Sequence, residues 1–168
     1  MVTYEDYVKR IEELMDYFKI IDYYGNYSSS LSSAKAVLYD LYCLRQFKLD
    51  IYRLYPKFTE MREKLIELIN LLKKCKDDYC KVKSKSYYED YVKKCGIFEN
   101  VDRIHLLLSN TIEGVNTVKD GKIPNLISEC ESKVTKINSL LDRSRARMKE
   151  YDNLVRNVEE WIRIHEED

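Results

Sequence analysis

The side chains able to do chemistry are few in this chain, and their spacing does not assemble them. His105 and His165 are its two histidines. Neither has a Ser or Cys partner at the spacing of a nucleophile–base pair. His105 adjoins Ile104 on the flank of an apolar helix face and reads as a packing residue. His165 lies in the acidic end and reads as solvated. Cys75, Cys80, Cys95 and His105 can be drawn as a zinc set. Their spacing, C-x4-C-x14-C-x9-H, contains no compact C-x2-C pair. On a helix, Cys75 and Cys80 would also stand about 140° apart. There is no Gly-rich phosphate loop, no His-Glu-x-x-His and no Glu-x-x-His pair. The expectation is therefore no metal, no cofactor and no enzyme. Glu12-Glu13 and Asp77-Asp78 read as solvated acidic faces.

Two basic features could contact nucleic acid. Lys81, Lys83 and Lys85 lie between Tyr79 and the pair Tyr87 and Tyr88, a mixture that can hold phosphates and stack bases. Arg143 and Arg147 stand one turn apart. The formal net charge is zero, so no global field favours a polyanion. The charge is nonetheless uneven. Residues 133–149 hold six basic groups and one acidic group; residues 150–168 hold two basic and seven acidic. A solvated helix surface is the plainer reading of both basic features.

The stronger signal is apolar. From Ile127 the chain reads Cys130, Val134, Ile137, Leu141, Ser144, Met148, Tyr151, Val155, Val158, Ile162 in alternating steps of three and four. This predicts one helix of about 40 residues after Pro124. Leu154 and Trp161 widen the stripe beyond a coiled-coil seam toward a face that meets two neighbours. Met148, Tyr151, Leu154, Val155, Val158, Trp161 and Ile162 are thus the predicted partner-binding face, for self-association or another protein. The alternative is that the N-terminal helix folds over this end with Tyr4, Tyr7 and Ile11.

Four further helices are expected. One runs from Thr3, which can cap it, to Tyr24 before Gly25. The next runs from Leu31 to Leu54, ended by Tyr55-Pro56. A third runs from Lys57 to Val82, and a fourth from Phe98 to Lys119, with a short one near Tyr88–Lys94 before Gly96. Asp120-Gly121 is expected to turn the chain into the last helix. These lengths, about 20–26 residues, would leave the last helix overhanging its neighbours. The predicted fold is all-α: one domain over residues 1–168, an antiparallel bundle of four or five helices.

Composition agrees with that class. Only four Gly and two Pro occur, too few for many tight turns. No run approaches the ~20 apolar residues of a membrane span. Met1 to Lys19 is acidic and amphipathic, unlike a signal peptide. Five cysteines at irregular spacing, Cys43, Cys75, Cys80, Cys95 and Cys130, fit free thiols. Together these predict an intracellular protein if the chain is complete, or a secreted one if it is an excised domain. Cys75 and Cys130 fall on helix seams and are expected to be buried, with Cys80 and Cys95 more reactive. Fifteen tyrosines suit either interfaces or an AT-rich coding bias. Tyr-Glu-Asp-Tyr-Val-Lys occurs at 4–9 and again at 88–93, but the two halves share few other identities.

Overall fold

A computed structural model describes residues 2–88, 90 and 101–166, with the backbone alone for 101–105. Every regular element among the described residues is helical. Residues 85–88 and 90 are helical, and the rest of the expected short helix near Tyr88–Lys94, Cys95, and the start of the next helix at Phe98 lie outside the described residues. No described helix is long and apolar enough to cross a membrane.

Helix α1 spans Tyr4–Tyr17. Its start is the expected one. The Asp6 amide donates to Thr3 Oγ1 at 3.2 Å, and the Thr3 amide donates to Asp6 Oδ2 at 2.7 Å. Each side chain thus satisfies a backbone donor that the helix cannot. The Thr3 amide and hydroxyl hold the Asp6 carboxyl below its ordinary range. The expected run to Tyr24 tightens after Tyr17 into a 3-10 segment, Phe18–Tyr23. That winding brings both Phe18 and Ile21 inward. A 3-10 turn, Tyr27–Ser29, leads to Ser30, whose hydroxyl accepts from the Ser33 amide and caps α2, Leu31–Cys43.

Two expected boundaries are corrected. The break lies at Leu44, whose amide meets the carbonyls of Leu41 and Tyr42 in one tightened turn. Helix α3 then runs Arg45–Cys80, 36 residues, straight through Pro56. Proline deprives one carbonyl, that of Tyr52, of its helical donor. Tyr52 is exposed, so water can serve that carbonyl. Packing of Ile51, Tyr55 and Phe58 on either side of the proline holds the helix on course.

Helix α4 spans Val101–Thr117. A π-helical segment, Val118–Lys122, carries it into α5, Ile123–Glu166. Asp120-Gly121 is thus part of a widened helical turn and not the expected chain reversal. The forty-residue expectation for the last helix is met by 44 residues, or about 66 Å. The longer α3, 36 residues against 44, narrows the length mismatch behind the expected overhang.

The chain divides into two compact units, residues 1–63 with 135–168 and residues 64–134. The first has the larger core. Leu14, Phe18, Ala34, Leu41, Ile51, Met148, Tyr151 and Val158 are all buried there, with Leu31, Val37, Leu38, Phe47, Leu54 and Trp161 packed around them. Phe18 and Tyr151 meet edge to face at 5.3 Å. The one polar break in the apolar stripe, Ser144, is fully buried and satisfied. Its hydroxyl bonds the Leu141 carbonyl at 3.0 Å and the Tyr55 hydroxyl at 3.1 Å.

In the second unit Ile69, Ile123 and Cys130 are buried. Gly114 is exposed on α4, and an added methyl would meet nothing within 4 Å. Gly114→Ala is expected to stabilise this unit by about 1 kcal/mol, from helix propensity alone. Chemical denaturation of both proteins checks this: an unchanged or lower midpoint would contradict it.

Candidate partner-binding surface

The predicted partner face on α5 is mostly interior. Met148, Tyr151, Val158 and Ile162 are buried in the core of unit 1, and Leu154, Val155 and Trp161 are half-buried against it. The premise of an uncovered stripe is therefore corrected. The cover comes from Phe18–Tyr23, α2 and the start of α3, and only in part from α1. Trp161 stacks on His165 at 3.9 Å, and His165 Nδ1 lies 2.8 Å from the Trp161 carbonyl.

Two of those residues still reach the surface from below. Tyr151 and Val155, with Asp152, floor an open groove of about 410 Å³ whose wall is Arg45, Lys48, Leu49 and Tyr52. Tyr42, Arg45, Leu49 and Tyr52 recur in steps of three and four and are all exposed. This stripe runs beside the buried one of Leu41, Leu44 and Ile51.

The groove's polar groups are held in place. The Arg45 guanidinium lies 3.8 Å above the Tyr42 ring, and the Tyr42 hydroxyl donates to Glu159 Oε1 at 2.6 Å. Lys48 pairs with Asp152 while its ammonium faces the Tyr52 and Tyr151 rings, at 5.4 and 5.7 Å. The Tyr151 hydroxyl donates to the Leu41 carbonyl at 2.6 Å. That carbonyl sits beside the tightened turn at Leu44, so the bond ties α5 to the α2–α3 corner. The surface is pre-ordered, with rigid aromatic and guanidinium groups around an apolar strip. Interfaces concentrate such groups where binding energy is greatest.

A larger open cleft, about 700 Å³, lies between α1 with its 3-10 extension and α5. Met15, Ile21, Ala146 and Leu154 line it along with Arg143 and Arg147. Arg147 is already engaged. It donates to both carboxylate oxygens of Asp22, at 2.6 and 3.0 Å, and to Glu150 at 3.0 Å. This fork holds the Asp22 carboxyl below its ordinary range. Arg143 is exposed.

The other basic feature is equally committed to local structure. Lys81 bonds Asp78 at 2.6 Å. Lys83 and Lys85 are exposed. Tyr87 and Tyr88 meet edge to face at 5.4 Å, and the Tyr88 hydroxyl accepts from the Lys83 amide at 3.3 Å. Lys81–Tyr88 belong to the second unit and Arg143 and Arg147 to the first.

Among the thiols, Cys130 is buried as expected, and Cys80 is exposed. Cys75 is exposed, a correction. The inward face of α3 there is set by Leu65, Ile69, Leu72 and Lys76, and Cys75 stands about 100° to one side. Cys43 is exposed too. No group of three His, Cys, Asp or Glu among the described residues could hold a metal ion. Cys95 and the His105 side chain lie outside them.

The tyrosines of unit 1 give it a pH signature. Burial, then the hydrogen bond to Asp40, pushes Tyr24 up to about 12. Burial also raises Tyr55 and Tyr151. A phenol whose folded value exceeds its ordinary 10.0 favours the fold fully below pH 10. That contribution is lost as the pH climbs through the folded value. Unit 1 is thus expected to weaken between about pH 10 and 12. Ultraviolet titration should show some tyrosines ionising late, together with loss of helix. Complete ionisation centred on pH 10, with the helix intact, would contradict this.

Comparison with protein-family models, with curated proteins and with solved structures finds no match to this chain.

Proposed function

We propose that this protein is a non-enzymatic helical interaction module, an antiparallel four- or five-helix bundle that serves as an adaptor, scaffold, assembly subunit or small inhibitor by binding another protein. The observation that carries this reading is the groove of Arg45, Leu49 and Tyr52 over Tyr151 and Val155. Its exposed aromatic and guanidinium groups are held by neighbours before any partner arrives, so little ordering entropy remains to be lost on binding. The groove is open, which suits a protein ridge better than a small molecule that must be enclosed. Free thiols at Cys43, Cys75, Cys80 and Cys130 support a reducing compartment. Nucleic-acid binding has less behind it, because Arg147 and Lys81 already serve Asp22, Glu150 and Asp78.

The test is purification of tagged chain from its source organism, wild type beside Leu49→Glu with Tyr52→Ala. A protein retained by the wild type and lost from the variant, at an unchanged melting temperature, is the expected outcome. Equal recovery from both would remove the groove from the account. A mobility shift with mixed DNA or RNA that fades steeply with salt would favour the nucleic-acid reading instead.

A further inference from the structure

Among the described residues, the second unit carries an apolar stripe on α3 that stands outside its buried positions. Leu68 and Leu71 on α3 are 43% and 63% exposed, and Cys75 and Val82 are exposed with them. At about 100° per residue Leu68, Leu71 and Cys75 fall within about 60° of each other, and Val82 follows just beyond the end of α3. The face that buries Ile69 lies roughly 100° away. In heptad terms Leu68 and Cys75 take one seam position, and Leu71 the other. Glu67 and Lys74 then occupy the same flank, one heptad apart, and both are exposed.

We propose that this stripe binds a second copy of the chain, with the two α3 segments antiparallel. The flanking charges choose the orientation. If Leu68 of each copy faces Leu71 of the other, the two-fold axis falls between residues 69 and 70. Glu67 of each copy then meets Lys74 of the other, giving two opposite-charge contacts from one pair of positions. A parallel pair would set Asp78 against Asp78, because that residue shares the stripe, and Cys75 against Cys75. The apolar contact is short, so the dimer is weak and concentration-dependent. This surface does not include the groove of unit 1, and its test needs no other partner.

Sedimentation equilibrium of the reduced full chain over a range of concentrations reads the association. A monomer–dimer equilibrium is expected for the wild type. Glu67→Lys or Lys74→Glu alone should weaken it about tenfold, since each turns two attractive contacts into two repulsive ones. The combined exchange, Glu67→Lys with Lys74→Glu, should restore it. Helical melts of all three should match the wild type, because both positions are solvent-facing. Labelling supplies a second readout. Cys75 should become protected from a thiol reagent as the protein is concentrated, while Cys80, about 140° around the helix, should not. A chain that is monomeric throughout, or a double exchange that fails to restore the dimer, would overturn the proposal. Ready oxidation to a Cys75–Cys75 cross-link would overturn the antiparallel orientation, since that bridge needs the two Cα atoms within about 7 Å.

Discussion

Val158→Glu is expected to unfold unit 1 outright, costing about 4 kcal/mol or more. Val158 has no exposed surface and sits in the main apolar cluster between α2 and α5. A carboxylate there would leave water for an apolar cluster, so the fold must open or protonate the group. A loss of that size consumes much of the 5–15 kcal/mol that typically stabilises a domain. The control is Leu49→Glu on the groove wall, where 49% of the residue is already in solvent. Its cost is expected to stay within about 0.5 kcal/mol. Urea titrations followed by circular dichroism compare the two. If Val158→Glu melts like the wild type, this part of α5 is a free surface and the core assignment is wrong.

Phe18→Ala carries the second large effect, about 3–5 kcal/mol. Phe18 is fully buried, and its ring meets Tyr151 edge to face. Truncation leaves a cavity that the 3-10 segment cannot easily close, because Ile21 is pinned into the same cluster. Tyr151→Phe should cost less, about 1–1.5 kcal/mol, as it keeps the ring and removes the hydroxyl that bonds the Leu41 carbonyl. Only removal of both rings tests their contact, so Phe18→Ala with Tyr151→Ala should fall short of the sum of its two singles by about 0.5–1.5 kcal/mol. Additive losses would place the two rings out of contact.

The sequence was most legible where local chemistry and packing agree. Thr3 caps α1 as expected, with Asp6 adding a reciprocal bond, and the α5 stripe is helical along its length. Ser144 interrupts that stripe in chemistry but not in burial, since its hydroxyl finds Leu141 and Tyr55. The misplaced boundaries share one cause. Pro56 is a local stop signal, yet Tyr55 and Phe58 pack into unit 1 and carry α3 through it. Leu44, an ordinary helix former, is where the chain instead tightens. With α3 at 36 residues against 44 for α5, the difference in length is smaller than expected. Part of the expected overhang came from stopping α3 at the proline.

The groove was readable in principle. Tyr42, Arg45, Leu49 and Tyr52 have helical spacing of their own. They lie beside the broader stripe of Leu41, Leu44, Phe47 and Ile51, which dominates the periodicity. Tyrosine suits either side of a helix, so only the fold separates the inward Tyr151 from the outward Tyr52. Cys75 shows the same ambiguity. A seam cysteine is buried only if a neighbour covers that seam, and α3 is covered about 100° away from it.

The claim on which the rest depends is that the apolar face of α5 is interior to one chain. Site-resolved thiol labelling of Val158→Cys, in dilute reduced protein below any self-association, tests it most directly. The new thiol replaces a buried side chain of similar size, and Cys43 in the same molecule is an exposed reference. The account predicts that position 158 reacts only through unfolding, at least about a thousandfold more slowly than Cys43. Labelling at the rate of Cys43 in a chain that remains helical would contradict it.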